Sequence, residues 1–433
     1  AAVAVAAFCA FLPPATLPDG GSFPVGGYVA AFASLLGATI LIATAIGPIA
    51  SGLVPRLSHL PEVQHGLQRL RAASSRHRLG TAGLLVATGM ALSMGIMTHS
   101  FERTLIRWLD VRFQADGFLF APQSGGREYV PEEAISWFAS QQEVDTVLPT
   151  SRFPVAFGGG TIQLEGAPYP EYLTRQQFLW LDEPRGTARI PPGADGSAIV
   201  SETFRYRFGL STGDRVELET PDGRKQLWIS GVKADYGSDR GLLQIGLDNL
   251  QAWYDLPGYT NATLYLNTDT ELPLDTWQAQ WPGLGLLSQA GLRETVLRVF
   301  NETFTVARGV QFLGLGVAFI GLALAMFTLI REDQASLRTL HALGLPRSRI
   351  ARVLAAEAAG LAGIAGIGGL VLSLGLGALL VFVINRQSFG WTLQYELPWV
   401  NLLTQVLGIV VAGAATGALC GRFAGDLKLA NRE

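Results

Sequence analysis

The chain has 433 residues, of which only 15% are charged, and a formal net charge of −3. A soluble domain carries about 25% charged residues, so this composition excludes an ordinary soluble protein and indicates a membrane protein. The charge is unevenly distributed: residues 102–290 hold 15 Lys and Arg against 25 Asp and Glu, whereas the remainder sums to +7. One long acidic segment therefore lies between apolar, weakly basic ones.

Residues 1–12 are apolar but too short to cross a bilayer, and they lack the basic start of a signal peptide. We interpret them as the end of a span, which makes the chain a fragment of a longer protein. Five further apolar runs approach or exceed the roughly 20 residues that a spanning helix needs. They are residues 25–54, 79–101, 309–330, 353–384 and 399–421. These runs predict an α-helical transmembrane bundle.

Residues 56–72 follow the first full span, and their apolar residues recur at spacings of three and four. These residues are Leu57, Leu60, Val63, Leu67 and Leu70. The periodicity predicts a helix with one apolar and one basic face. Two interpretations remain open, a helix along the inner membrane surface and an irregular linker. The predicted division of this part is the end of a preceding transmembrane module at 1–55, a cytoplasmic amphipathic linker helix at 56–78 and a span at 79–101.

The acidic segment 102–290 is predicted to be a large α+β domain. Residues 132–144 have the pattern of an amphipathic helix. Two strand patterns, Arg215–Thr220 and Lys225–Lys233, flank a Pro-Asp-Gly turn and predict a hairpin. Residues 283–308 are predicted to form a helix that continues into the next span, so that the domain stands on stiff stalks.

The distribution of Lys and Arg predicts the orientation in the membrane, because short cytoplasmic loops carry an excess of these residues. Arginines are concentrated in residues 54–80 and 331–352, and basic residues recur near the C-terminus. These segments are predicted to be cytoplasmic, which makes the acidic domain extracytoplasmic or periplasmic in a multi-pass protein of the cell inner membrane. The predicted division of the rest is a stalk with three spans at 291–425 and a cytoplasmic tail at 426–433.

Motifs for catalysis or cofactor binding are missing from the sequence. No phosphate loop of the G-x-x-x-x-G-K-[ST] type is present, so we do not expect this chain to bind ATP. The sequence also lacks H-E-x-x-H, G-x-S-x-G and paired-cysteine metal spacings. We therefore expect no catalytic, cofactor-binding or metal-binding residues. Nucleic-acid binding is not expected either, because the basic loops lack interleaved aromatic residues.

The span 353–384 is unusually rich in glycine, and small residues let helices approach closely in lipid. A carboxylate lies about one turn inside this span, where it is expected to snorkel or to pair with an arginine. The glycines are predicted mainly to pack against neighbouring helices, with a hinge as the alternative. The predicted packing residues are Glu357, Gly360, Gly363, Gly366 and Gly369.

Residues 331–352 lie between two spans and predict a short helix, a sharp corner and the start of the next span. Gly344 can adopt the left-handed conformation that ends a helix, and Pro346 suits the first turn of the following one. One face of the short helix carries three leucines, Leu337, Leu340 and Leu343. Such a face at the cytoplasmic surface indicates a docking contact, unless these leucines simply lie on the membrane.

The same stretch has the pattern R-E-x5-R-x-L-x2-L-G-L-x4-I, followed by a glutamate and a glycine-rich span. This pattern resembles the cytoplasmic signature of FtsX/MacB-like ABC transporter permeases. The matching residues are Arg331, Glu332, Arg338, Leu340, Leu343, Gly344, Leu345, Ile350 and Glu357. The resemblance covers about residues 79–425, and the stretch 198–245 also resembles the outer domain of that family. The preceding segment looks like the end of an earlier copy of the same module, as in large permeases with two FtsX-like modules.

The resemblance implies a non-catalytic permease subunit that works with a separate ABC ATP-binding subunit, which holds ATP and Mg²⁺ at the cytoplasmic face. ATP-driven closure of that partner would move the stalks and the outer domain, a mechanotransmission used to export or extract a lipid, lipoprotein or peptide. The implied coupling helix comprises Arg331, Glu332, Leu337, Arg338, Leu340, Leu343, Gly344, Leu345, Arg347 and Ile350. A second permease module and an extracytoplasmic accessory protein are further expected partners, beside the lipid bilayer.

Two other functions compete with a permease. A membrane-anchored sensor or scaffold with an extracytoplasmic ligand-binding domain would need a cytoplasmic output domain, which this sequence does not contain. A membrane enzyme acting on lipids would need a catalytic constellation at the outer surface, and none can be assembled from the sequence.

Overall fold

The computed structural model describes the following parts of the chain: residues 8–9, 11–16, 22–57, 61–71, 75–121, 129–182, 190–267, 272–332 and 346–426. Within these residues, five helices are long and apolar enough to cross a membrane. The five spans predicted from the apolar runs are therefore confirmed as helices of sufficient length and hydropathy.

The N-terminal part contains a short β-pairing and three helices. Strands β1 (Ala15–Thr16) and β2 (Ser22–Phe23) pair in antiparallel fashion before the first span, α1 (Val25–Leu53). A 3₁₀ turn leads to the linker helix α2 (Pro61–Arg71), which begins with proline, where the missing N–H costs no helical hydrogen bond. The next span belongs to α3 (Ser75–Arg112).

Part of the predicted linker, residues 56–72, forms a regular helix, Pro61–Arg71. Two leucines of its apolar face, Leu67 and Leu70, are 3% and 0% exposed, because they pack among the spanning helices. These leucines therefore make helix–helix contacts. Contact of this helix with the membrane surface stays a prediction.

The segment between α3 and the following span folds into an α+β unit, here called the sheet domain, with a ten-stranded mixed sheet. The elements are β3 (Gly117–Phe120), α4 (Glu132–Ala139), β4 (Val144–Phe157), β5 (Gly160–Ala167), α5 (Glu171–Arg175), β6 (Trp180–Asp182), β7 (Ser197–Ser201), α6 (Glu202–Phe208), β8 (Arg215–Thr220), β9 (Gly223–Lys233), β10 (Leu242–Gly246), α7 (Leu247–Trp253), β11 (Asn261–Leu266), α8 (Leu274–Gln280) and β12 (Gly285–Ser288). The strand order in the sheet is β12-β3-β11-β4-β5-β10-β7-β9-β6, and β8 pairs with β9. The β5–β10 and β7–β9 pairs are parallel.

Local sequence signals locate several of these elements. The predicted hairpin is β8–β9, and Gly223 adopts the positive φ of +96° that its turn requires. The helix predicted for residues 132–144 ends earlier, at Ala139, and the chain then enters β4. The helix predicted for residues 283–308 is also shorter at its start, because Gly285–Ser288 pairs with β3 as an edge strand.

Three long helices complete the chain. They are α9 (Gln289–Glu332), α10 (Arg347–Leu379) and α12 (Trp399–Asp426). A π-helical turn, Leu380–Asn385, and the short α11 (Arg386–Phe389) follow α10 directly. The predicted tail at 426–433 lies outside the described residues, apart from Asp426 at the end of α12.

The two helices that flank the sheet domain are longer than a membrane span. Helix α3 has 38 residues and α9 has 44, which correspond to about 57 Å and about 66 Å at 1.5 Å per residue. The hydrocarbon core of a bilayer is only about 30 Å thick. Each helix therefore continues from the bundle to the sheet domain, so the predicted boundary at residues 101–102 falls inside α3. We call these two the stalk helices.

Candidate functional site

The predicted coupling stretch is only partly within the described residues. Leu337, Arg338, Leu340, Leu343, Gly344 and Leu345 lie outside them, and the backbone of Arg331 and Glu332 belongs to the last turn of α9. Pro346 is the N-cap of α10, with φ −68° and ψ 151°, so the new helix starts at Arg347 directly after the proline. Ile350, one turn further on, is half-buried against the helix bundle.

Glu357 lies two turns beyond Ile350 and is the centre of a buried ionic cluster. Its side chain is 1% exposed. One carboxylate oxygen, Oε1, lies 2.9 Å from His77 Nε2 of α3, and the other, Oε2, lies 2.9 Å from Arg69 Nε of the linker helix. Of the two expected behaviours, pairing with an arginine is the one observed. The carboxylate thereby joins three helices, α2, α3 and α10, at the end of the bundle opposite to the sheet domain.

The linker helix contacts α10 closely on both sides of this cluster. A Cβ on Gly66 would lie 2.8 Å from the carbonyl oxygen of Val353, so only glycine allows this approach. A Cβ on Gly360 would lie 2.8 Å from Leu67 and 3.1 Å from Leu70. The glycines and the buried leucines therefore position Arg69 against Glu357. We call this contact between α2, α3 and α10 the inner junction.

The other predicted packing glycines face different neighbours. Cβ atoms on Gly363 and Gly366 would contact Val410 and Val406 of α12, whereas one on Gly369 would lie 2.7 Å from Thr88 of α3. Helix α10 thus occupies the middle of the bundle, with one glycine face toward each neighbour.

Helix α12 supplies a matching series of its own glycines. Cβ atoms on Gly413, Gly417 and Gly421, four residues apart, would lie 2.4–3.0 Å from Ala362, Leu354 and Ala351 of α10. For Gly417 the obstacle is the backbone oxygen of Leu354, at 2.4 Å. Backbones at such a distance are typical of small-residue helix pairs in membranes.

The two stalk helices pack against each other between the bundle and the sheet domain. Phe101 of α3 stacks on Phe300 of α9 with ring centroids 5.6 Å apart, and Phe304 lies beside both. Nearer the sheet domain, Arg293 of α9 pairs with Asp110 of α3 at 3.3 Å. The stalk helices are therefore a packed pair and not two independent connections.

At its far end, α3 enters a group of buried charges at the base of the sheet domain. Arg112 donates a hydrogen bond to Gln176 and lies 4.0 Å from Glu165 Oε1. Glu165 on β5 is 3% exposed and accepts a 2.6 Å hydrogen bond from Arg152 Nε of β4. The Arg152 guanidinium is also 3.7 Å from Asp235. We call this group the base network, because it joins the stalk helix to the sheet.

Buried charge changes the ionisation of the base network. Lys233 is 2% exposed and donates a 2.9 Å hydrogen bond to Gln244, which in turn donates to Glu165. Burial alone would raise the pKa of Glu165, but Arg152, Lys233 and Arg112 outweigh burial and lower it to about 2. Burial lowers the pKa of Lys233 to about 8, although Glu165 partly opposes this. At neutral pH the Glu165 carboxylate is therefore fully charged and surrounded by cations.

The sequence interpretation missed the base network, because its members come from segments far apart in the chain. The available signal was a charged residue inside an apolar strand pattern, at Arg152, Glu165 and Lys233. It also named no partner for His77, which the structure places against Glu357. No group of three or more His, Cys, Asp or Glu side chains suited to a metal ion occurs in the described parts of the chain.

Comparison with known proteins identifies the region that holds α10 and α12. Residues 309–427 match the family model described as FtsX-like permease C-terminal. This region is similar to the C-terminal domain of FtsX-like permeases. It contains Glu357 and the glycines through which α10 and α12 pack against each other, whereas Arg69 and His77 lie outside the matched residues. The resemblance found in the sequence is confirmed by this match.

A curated relative matches most of the chain. It is an uncharacterized ABC transporter permease protein from Mycobacterium tuberculosis, 26% identical over 413 residues, which are 91% of this chain and 48% of the relative. The chain thus spans about half the length of this relative.

Solved structures with partial similarity are extracytoplasmic regions of transporters. The periplasmic region of MacB from Actinobacillus actinomycetemcomitans has a TM-score of 0.30 and 10% identity, and covers 43% of this chain and 95% of its own. The extracellular domain of the noncanonic ABC-type transporter YknZ from Gram-positive bacteria has a TM-score of 0.29 and 11% identity, with 40% and 100% coverage.

Proposed function

We propose that the chain is the membrane-spanning permease part of an ABC transporter, and that a separate ATP-binding subunit docks on its cytoplasmic face. The observation that carries this proposal is the FtsX-like match over residues 309–427. In this arrangement the sheet domain is extracytoplasmic, in the periplasm of a cell inner membrane, and the arginine-rich end of the bundle is cytoplasmic. ATP and Mg²⁺ are held by the partner, and this chain is non-catalytic.

The contacts at the two ends of α3 support a role in transmitting movement. At the cytoplasmic end, Glu357 ties α3 and the linker helix to the first turns of α10, immediately after the coupling stretch. At the other end, Arg112 ties α3 to the base network of the sheet domain. A movement imposed on the coupling stretch would therefore be passed from α10 through the Glu357 contacts to α3, and from α3 through Arg112 to the sheet domain.

The cargo and the remaining partners follow from the family resemblance and are part of the proposal. We infer a lipid, lipoprotein or peptide that is exported or extracted from the membrane. We also infer that α1 and α2 belong to a preceding FtsX-like module of the same protein. An extracytoplasmic accessory protein would contact the sheet domain.

Co-purification tests the proposal through the predicted coupling helix. The full-length protein is purified in detergent with its candidate ATPase, the product of a neighbouring gene that contains a phosphate loop. We expect the ATPase to co-purify with the wild type and to be lost with Leu340→Asp, because a charge on the leucine face opposes docking. Leu345→Asp should likewise uncouple ATP hydrolysis from transport without unfolding the protein.

The matched control is Gln68→Asp, which adds the same charge at an exposed position of the linker helix. This variant should retain the ATPase. Wild-type association and coupling in both leucine variants would contradict the docking role. Absence of any ATPase from the wild-type preparation would favour a membrane-anchored sensor or scaffold instead.

A further inference from the structure

The segment between the last two spans, residues 386–398, contacts the stalk helix α3, through Thr104 and Ser100, and also makes a direct attachment of its own to the sheet domain. Thr392 of this segment donates its backbone N–H to Glu202 Oε2 at 3.0 Å, and its hydroxyl donates to Glu202 Oε1. Tyr236 donates its hydroxyl to the carbonyl oxygen of Thr392 at 3.0 Å. One loop residue is therefore held through its N–H, its side chain and its carbonyl oxygen.

Backbone geometry shows that this attachment is closely fitted. Gly390 adopts a φ of +73°, and a Cβ on it would lie 3.1 Å from the Cα of Thr203. Thr203 itself donates a 3.3 Å hydrogen bond to the carbonyl oxygen of Phe389. A larger residue at position 390 would force the segment away from α6. The contact is thus made by two backbones in direct apposition.

The sheet-domain side of the attachment is rigid. Glu202 is the first residue of α6 and is 4% exposed. Ser201 before it accepts N–H bonds from Phe204 at 3.2 Å and from Leu242 of β10 at 2.9 Å, which fixes the start of the helix on the sheet. A carboxylate in the first turn also suits the positive end of the helix dipole. The position of Glu202 is therefore fixed relative to the sheet.

The span side is fixed to the end of α10. Asn385, the last residue of the π-helical turn, donates a 3.0 Å hydrogen bond to the carbonyl oxygen of Trp391. Tyr395 donates its hydroxyl to the carbonyl oxygen of Leu374 at 2.8 Å, inside α10. The segment then leads without a break into α12 at Trp399. Its position accordingly depends on where α10 and α12 end and on α3, whose Thr104 and Ser100 accept the N–H groups of Gln394 and Glu396.

We propose that Glu202 and Thr392 form a clasp that positions the sheet domain on the last two spans. This inference rests on the proposed function, in which movement at the cytoplasmic end reaches the sheet domain. A change in the spacing or tilt of α10 and α12 would reach the sheet through the clasp, in addition to the path along the stalk helices. Glu202 and Thr392 are positioning residues in this scheme.

Two measurements on the full-length protein in lipid nanodiscs test the clasp. Amide hydrogen exchange follows residues 391–396, and pulsed electron paramagnetic resonance gives the distance between spin labels on Asp222→Cys and Asn401→Cys. Asp222 lies at the exposed tip of the β8–β9 hairpin, and Asn401 is exposed in the first turn of α12. The native cysteines, Cys9 and Cys420, are first replaced by serine and alanine.

We expect Glu202→Ala to accelerate exchange around Thr392 by about tenfold, because a hydrogen bond to a charged acceptor is lost. The distance distribution between the labels should broaden. Glu202→Gln should restore both properties, because its amide oxygen can accept the N–H while its amide nitrogen donates to the hydroxyl. Glu217→Ala, which removes an exposed carboxylate from β8, should match the wild type.

An unchanged distance distribution in Glu202→Ala, together with faster exchange at Thr392, would overturn the clasp, since the stalk helices alone would then hold the domain. Faster exchange in β7 and β9 would also overturn it, because Glu202 would then serve the fold of the sheet domain. If Glu202→Ala does not fold, Thr392→Val carries the same test. These measurements need no ATPase, so their failure is distinguishable from failure of the proposed function, which the co-purification decides.

Discussion

Two buried carboxylates, Glu357 and Glu165, hold the opposite ends of α3, and each is paired with an arginine from another segment. Burying a charge is costly, and that cost is offset only when partners and hydrogen bonds surround it. Glu357 has Arg69, with His77 as a second partner, whereas Glu165 has Arg152, with Arg112 beside it. Removing either carboxylate leaves an arginine behind in a poorly solvated site, so both positions are expected to be sensitive.

Glu357→Gln is expected to lower the free energy of unfolding of the purified protein by about 3 kcal/mol, the cost of breaking a buried ion pair by removing one partner. The physical reason is that the Arg69 guanidinium, whose side chain is only 20% exposed, loses its counter-charge. Thermal unfolding in detergent, followed by tryptophan fluorescence, measures the change.

The control for this prediction is Glu62→Gln. Glu62 also joins the linker helix to α10, through Arg352 at 3.7 Å, but the arginine side chain is 62% exposed. Exposed pairs contribute less than about 1 kcal/mol, so this variant should unfold close to the wild type. Equal effects of the two substitutions would contradict a special role for the buried cluster.

The depressed pKa of Glu165 predicts a pH dependence of the sheet domain. Between its ordinary pKa of 4.5 and its folded value of about 2, the unfolded chain binds more protons at this position than the folded chain. Stability is therefore fully present above pH 4.5 and is lost as the pH falls through 2, by about 3 kcal/mol. Urea unfolding of the full chain over this pH range, followed by tryptophan fluorescence, measures the loss.

Substitution separates the contribution of Glu165 from that of other acids. Glu165→Gln should be less stable at neutral pH and should show a flatter dependence between pH 4.5 and 2. Glu219→Gln, at a side chain that is 81% exposed, should retain the wild-type dependence. A wild-type slope in Glu165→Gln would show that other groups cause the acid sensitivity.

At the scale of the elements, α10 and α12 are the most closely packed pair of spans, because glycines on both helices bring their backbones together. The effect of a side chain on α12 should therefore depend on which face it occupies. Gly417 faces the backbone of Leu354, whereas Gly408 on the same helix has no atom within 4 Å of an added Cβ. The two glycines form a matched pair for testing the contact between α10 and α12.

Gly417→Val is expected to destabilise the protein by about 3 kcal/mol, near the upper end of the cost of overpacking, because a carbonyl oxygen cannot rotate away as a side chain can. Gly408→Val should leave the melting temperature within error of the wild type. Differential scanning fluorimetry in detergent compares the two. Similar melting temperatures for both variants would show that α12 can move away from α10 without cost.

The elements that the sequence predicted well are those specified by a local pattern. Apolar runs defined the five spans, and the turn residues after Thr220 defined the β8–β9 hairpin. The strand Gly285–Ser288 was predicted as helix, because its residues suit either structure and only pairing with β3 decides between them. Tertiary contact of this kind is invisible in a single segment.

The residues of the candidate site were less predictable than the elements, because their contacts join distant segments and leave no local pattern. The family signature singled out the predicted coupling stretch, which stays a prediction, and Glu357, but it lay on one segment. The partners of Glu357 come from the linker helix and α3, and only one of the two interpretations of the linker gave it a regular helix, with its apolar side on the membrane. A buried leucine face has the same periodicity whether it meets a membrane or another helix. The base network joins Arg112 to Glu165 and the clasp joins Glu202 to Thr392, and the residues of each pair are more than fifty positions apart, so no motif records them.

At the scale of the whole molecule, the stalk helices connect the bundle to the sheet domain without interruption. In the proposed function, their rigidity allows a movement of the bundle at the cytoplasmic side to displace the sheet domain. An unbroken helix transmits tilt and rotation, and a break absorbs them. Interrupting one stalk helix should therefore separate nucleotide binding from the movement of the sheet domain.

Val299→Pro tests this separation in α9. Val299 is 59% exposed, so little packing is lost, but proline removes a helical hydrogen bond and kinks the helix. With the candidate ATPase bound, ATP is expected to change the distance between labels on Asp222→Cys and Asn401→Cys in the wild type, and to change it less in Val299→Pro. Val299→Ala is the control. An equal response in Val299→Pro would show that α9 does not transmit the movement.

The unequal surroundings of the two stalk helices have a mechanical consequence. In the most apolar stretch of α3, 56% of the residues are buried, against 12% in α9, whose Phe312, Leu313 and Val317 face outward. Helix α3 is therefore held on more sides within the bundle than α9, so that a tilt of α9 disturbs fewer contacts there. Over about 66 Å, a tilt of about 5° displaces the far end by about 6 Å. A small tilt within the bundle would therefore become a larger displacement at the sheet domain, where the contacts of Phe300 and Arg293 with α3 would have to shift.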